Sequence, residues 1–169
     1  MIFGYYRIEI YNLYNQLLMK MKKKFNLRRY NELMELKESG KLSLLDSNYF
    51  EWLDYSVSVS DQIIYEQKKD FFLLIDNYLN GSLSLLEFRA QFLEMDRENQ
   101  KKGELILQNL QELKGFYLAE DLETFSRLIA RIRTVCEDYY VLEPMPETEF
   151  YSAVSNYYSQ LQEAFPVKI

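Results

Sequence analysis

Apolar residues recur along this chain at three- and four-residue spacing, which places them on one face of a helix. Phe3, Tyr6, Ile10, Leu13, Tyr14, Leu17, Met21 and Phe25 make the first such stripe, ending beside a basic cluster of Lys20, Lys22, Lys23 and Lys24. A second helix is expected from about Leu27 to Ser39, closed by Gly40, because a glycine takes the left-handed C′ position without a Cβ clash. Helix is again expected from Leu44 to about Val57, carrying Tyr49, Phe50, Trp52 and Leu53. The run Val57-Ser58-Val59-Ser60 reads as a linker ending in an N-cap serine. A helix would then run through Ile63, Ile64, Phe71, Leu74, Ile75 and Tyr78 to Asn80-Gly81.

Ser84-Leu85-Leu86-Glu87 has the form of a capping box, opening a helix with the stripe Leu85, Phe88, Phe92 and Met95. The polar stretch from Asp96 to Gly103 predicts a break or kink, with helix resuming through Leu105, Ile106, Leu110 and Leu113 towards a stop at Gly115. The most regular stripe is Leu122, Phe125, Ile129, Ile132, Cys136 and Tyr139. After the loop holding Pro144 and Pro146, a last helix displays Phe150, Val154, Tyr157, Tyr158, Leu161 and Phe165. The heptapeptide from Gly40 to Asp46 echoes that from Gly81 to Glu87. A glycine stop followed by an N-cap start produces that pattern without any duplication. The predicted architecture is all-α: an antiparallel bundle of about five to seven helices with an N-terminal helical extension.

Composition sharpens this picture mainly by exclusion. With only 5 Gly and 3 Pro, turn-rich β architectures are disfavoured. Histidine is absent and cysteine occurs once, as Cys136. That removes Ser-His and Cys-His nucleophile pairs, histidine-ligated metals and internal disulfides. Cys136 sits on an apolar stripe and reads as a small core residue. No phosphate loop, dinucleotide fingerprint or calcium loop occurs, so the chain is read as non-catalytic and without a cofactor. The stretch from Met1 to Met19 is interrupted by Arg7, Glu9, Asn12, Asn15 and Gln16, short of the ~20 apolar residues a span needs. Nor does it resemble a secretory signal, since the basic run follows the apolar one. A soluble protein of the cytoplasm, or of an organelle's interior, is the expectation.

Charge is unevenly divided. Residues 1–43 hold nine Lys and Arg against four acids, a balance of +5. Residues 44–169 hold eleven against twenty-two, a balance of −11. The chain is accordingly divided into a basic, aromatic N-terminal arm (1–43) and an acidic bundle (44–169). So acidic a body repels free nucleic acid and attracts basic protein surfaces. The candidate recognition surface is an acidic rim with tyrosine anchors around the proline loop: Glu137, Asp138, Tyr140, Glu143, Glu147, Glu149 and Tyr158. A separate docking set lies in the arm: Phe3, Tyr6, Lys22, Lys23, Lys24, Arg28 and Arg29.

From Phe71 to Phe165 the order of features resembles the bacterial self-protective immunity family typified by the colicin D immunity protein. The resemblance rests on the helix end Asn80-Gly81, the start Leu83-Ser84-Leu85-Leu86-Glu87-Phe88, the Pro144-x-Pro146 loop and the last helix beginning Glu149-Phe150. It implies a compact helical bundle whose acidic face binds a basic nuclease toxin. The N-terminal helices have no counterpart in that family, and no motif carries individual contact residues across. The alternative reading is a structural or accessory subunit of a bacterial or organellar assembly, docked, or paired as a homodimer, through the apolar first helix.

Overall fold

The computed structural model describes residues 26–44, 46–109, 120–139 and 145–166, and these form six helices with no strand among them. They are α1 (Leu27–Glu38), α2 (Ser47–Glu66), α3 (Lys68–Leu79), α4 (Leu85–Gln108), α5 (Glu120–Asp138) and α6 (Glu147–Ala164). The all-α bundle expected from the spacing is what the chain adopts. The helix expected over Phe3 to Phe25 lies outside the described residues, as do Leu110, Leu113 and Gly115.

Local chemistry marks several of the ends. The Asn26 side chain accepts from the Arg29 amide at 3.1 Å and starts α1. Past its other end, Gly40 adopts φ +68°, and the Lys41 amide reaches back to the Leu36 carbonyl. Gly81, at φ +81°, stops α3 in the same way. The Ser84–Glu87 box forms reciprocally: the Ser84 hydroxyl accepts from the Glu87 amide, and the Glu87 carboxylate accepts from the Ser84 amide at 2.9 Å. The sequence echo ends there. In its first copy the cap is Asp46, which accepts from the Asn48 amide at 3.0 Å, and Ser43 takes part only in the preceding turn.

Two expected boundaries are corrected. Val57 to Ser60 is not a linker, because α2 runs through it unbroken. Ser58 donates its hydroxyl to the Asp54 carbonyl at 2.7 Å, and Ser56 donates to that of Trp52 at 3.0 Å, so both serines are satisfied within a helix. Val59 is fully buried, and that packing overrides its β propensity. The helix instead ends at Gln67, whose amide bonds back to the Ile64 carbonyl before α3 begins. Likewise α4 has no break between Asp96 and Gly103. Asp96, Asn99 and Gly103 face inwards, where α4 crosses its neighbours. A Cβ on Gly103 would lie 3.5 Å from Ser60 Oγ and 3.6 Å from Ile63 Cδ1.

The core is divided in two. The larger part joins α3, α4, α5 and α6 through Phe71, Ile75, Phe88, Phe92, Phe125, Ile132, Phe150 and Leu161, all fully buried. Its rings interlock: Tyr78 stacks on Phe88 at 4.6 Å, and Phe125 meets Tyr65, Phe71, Phe72 and Phe165. Each such ring contributes roughly 1.5–3 kcal/mol by leaving water, so the aromatic side chains dominate the energetics of this core. The smaller part sets Tyr30 and Leu33 of α1 against Tyr55, Val59 and Ile63 of α2 and Ile106 of α4. So α1 is not a detached arm over these residues. Among the described residues no helix is long and apolar enough to cross a membrane.

Candidate protein-binding face

The end of α5 and the start of α6 lie side by side, held by an edge contact of 5.5 Å between Tyr139 and Phe150. Four exposed acids converge there: Glu137 and Asp138 on the last turn of α5, and Glu147 and Glu149 on the first turn of α6. The α6 pair suits its position, because a helix N-terminus carries partial positive charge. The α5 pair does not. Carboxylates at a C-terminus oppose the helix dipole, and the last turn of α5 holds no basic residue. Glu137 is eased by Arg133 at 3.8 Å, but Asp138, Glu147 and Glu149 form no ion pair among the described residues. At the α5 end the charge therefore works against the helix dipole.

The aromatic anchors are not all where the spacing placed them. Tyr158 is corrected: only 5% exposed, it sits in the core with its hydroxyl 3.4 Å from an Asp76 carboxylate oxygen. The exposed ring on α6 is Tyr151, 44% accessible, which packs on Tyr78 and donates its hydroxyl to the Leu79 carbonyl at 3.2 Å. Seven positions separate Tyr151 from Tyr158, which places both on the same side of α6; both reach α3, but Tyr151 does so near the helix start, where its ring stays exposed. Tyr140 and Glu143 lie outside the described residues.

A second feature runs along the outer side of the hairpin formed by α3 and α4. An open groove of about 420 Å³ is lined by Asp70, Leu73, Leu74 and Asn77 from α3, and by Gln91, Glu94, Met95 and Glu98 from α4. Its three charged side chains are all acids. Leu73 is 62% exposed. Glu94 holds Arg97 in an exposed ion pair, while Asp70 and Glu98 have none among the described residues. Spacing could have revealed this groove: two helices joined by a short turn each present carboxylates one turn from an apolar residue.

The N-terminal docking set divides. Phe3, Tyr6, Lys22, Lys23 and Lys24 lie outside the described residues. Arg28 is almost fully exposed, 3.5 Å from Glu32. Arg29 is corrected, because it is engaged within the chain. Its guanidinium donates to Glu51 at 2.7 and 2.9 Å and to Asn48 at 2.6 Å, clamping α1 onto α2. The bond to Glu51 raises its pKa further.

One interior seam is rich in carboxylates. Asp54 and Asp61 stand two turns apart on α2, both under the influence of Glu123 on α5. Burial pushes Asp61 up to about 7; a hydrogen bond from Ser126 opposes the shift, and the nearby carboxylates add to it. Burial, with Glu123 and Glu51 as like charges, raises Asp54 to about 6. Asp61 therefore keeps its proton up to near neutrality, and Asp54 only under mildly acidic conditions. Burial drives the Cys136 thiol up to about 12, far from the thiolate that nucleophilic chemistry requires. Among the described residues no group of three or more Cys, Asp or Glu side chains is placed to hold a metal ion. No family model, curated protein or solved structure matches the chain.

Proposed function

We propose that this chain is a non-catalytic binding module that captures a basic surface on another protein through the electronegative end built by α5 and α6. One observation carries the reading: Glu137 and Asp138 lie at a helix C-terminus, where the dipole disfavours them, beside Glu147, Glu149 and the exposed Tyr151 ring. The acids at the α5 end are disfavoured in the isolated protein, and cations arriving on a partner would offset that cost. Tyr151, one helical turn on from Glu147, supplies rigid amphipathic area beside that charge, as interface anchors do. Phosphate backbones would be repelled from the same surface. A basic nuclease toxin, the partner implied by the immunity-family resemblance, has the matching charge.

A photo-crosslinking residue in place of Tyr151, used in cells that make the protein, tests the proposal. The captured partner should be basic, and the crosslink should disappear when Glu137 and Glu149 are both changed to lysine. Capture of an acidic partner, or capture unaffected by the double charge reversal, would refute it.

A further inference from the structure

The α3/α4 groove has chemistry of its own, and its position extends the acidic end. Asn77 lines one end of it and is followed directly by Tyr78, the residue on which Tyr151 packs. From there the groove follows α3 to Asp70 and α4 from Gln91 to Glu98, a span of seven residue-to-residue rises on each helix. At 1.5 Å per residue that is about 10 Å, close to the width of a helix laid across it. The floor is apolar, made by Leu73, Leu74 and Met95, and the borders are Asp70, Glu94 and Glu98. A lone exposed leucine is commonplace on a protein surface. A leucine flanked on both helices by carboxylates, with no cation in the lining, selects for a particular occupant.

We infer that this groove receives a basic amphipathic helix of the partner protein, one apolar side chain resting on Leu73 and Met95 while lysines or arginines meet Asp70 and Glu98. The inference rests on the proposed capture of a basic protein and assigns the element by which that protein is held. A helix fits better than an extended strand, because two packed helices offer a groove between side-chain ridges and no sheet edge to extend. The exposed Glu94–Arg97 pair is weak in water, so Glu94 can exchange Arg97 for an incoming cation at little cost. Met95 adds an adaptable surface that accommodates apolar side chains of different shape.

The test uses the full chain and a synthetic lysine-rich helical peptide bearing a single leucine, followed by amide and methyl NMR. The peptide should shift the Leu73 and Met95 methyl signals saturably. Leu73→Ser, Glu98→Lys, or replacement of the peptide's leucine by serine should each weaken binding about tenfold or more. Both protein variants alter exposed positions, so each should keep the wild-type spectrum elsewhere. Shifts confined to Tyr151 and Glu149, with none at Leu73, would overturn the groove assignment and leave the basic-partner reading standing. No shift anywhere would count against both. Equal binding by the serine peptide would remove the apolar contact and with it this inference.

Discussion

The two halves of the interior are built on different principles. Around Phe125 the α3–α6 core is an aromatic lattice, closed by ring contacts and almost free of buried charge. Around Asp61 the α2/α5 seam carries two carboxylates, a serine and the nearby Glu123, with Asn99 and Asp96 buried on α4. Both Asn99 amide atoms lack a hydrogen-bond partner among the described residues. The aromatic side therefore supplies most of the stability, and the polar side makes that stability depend on pH.

The largest effect should come from breaking the lattice. Phe125→Ala removes the ring shared by four others and should cost about 3–5 kcal/mol in chemical denaturation. A loss below about 1 kcal/mol would mean that the lattice is not what holds the bundle.

The polar side should respond in the opposite direction. The folded-state pKa of Asp61, about 7, lies above its ordinary 3.8. The stability compatible with its burial is therefore complete below about pH 4 and is lost as pH rises towards 7, where the unfolded chain ionises first. Asp61→Asn keeps an acceptor for Ser126 and removes that titration. It should stabilise the protein by about 2 kcal/mol at pH 8 and by almost nothing at pH 4. Thermal melts at the two values check this, and an equal gain at both would exclude the carboxyl as the cause. Asp54, raised to about 6, adds a weaker slope of the same sign. The smallest change tightens the α2/α4 crossing. Gly103 lies within a helix with room for a methyl group at ordinary contact distance, so Gly103→Ala should add about 0.5–1 kcal/mol.

The contrast also explains which features could be read along the chain. The Ser84–Glu87 box and the glycine stops at 40 and 81 were legible because their chemistry is local, set by side chains within a few residues. The serine–valine run in α2 was misread because alternation mimics extended chain, and only burial of Val59 against α1 and α4 decides for helix. Asp96 to Gly103 was misread for the complementary reason: Asp96, Asn99 and Gly103 form a buried stripe under other helices, and the polar residues between them are the helix's solvent face. At the acidic end, residue type identified Glu137, Asp138, Glu147 and Glu149. Tyr151 and Tyr158 share a side of α6, and which of them stays exposed depends on how far along the helix its neighbours cover it, which spacing does not encode.

The account is tested most directly by the salt dependence of binding between this chain and the partner crosslinked at position 151. If the α5/α6 end works through uncompensated charge, affinity should fall at least tenfold between about 50 and about 500 mM salt, and the fall should flatten when Glu137 and Asp138 are changed to glutamine and asparagine. An affinity that holds steady across that range would contradict it.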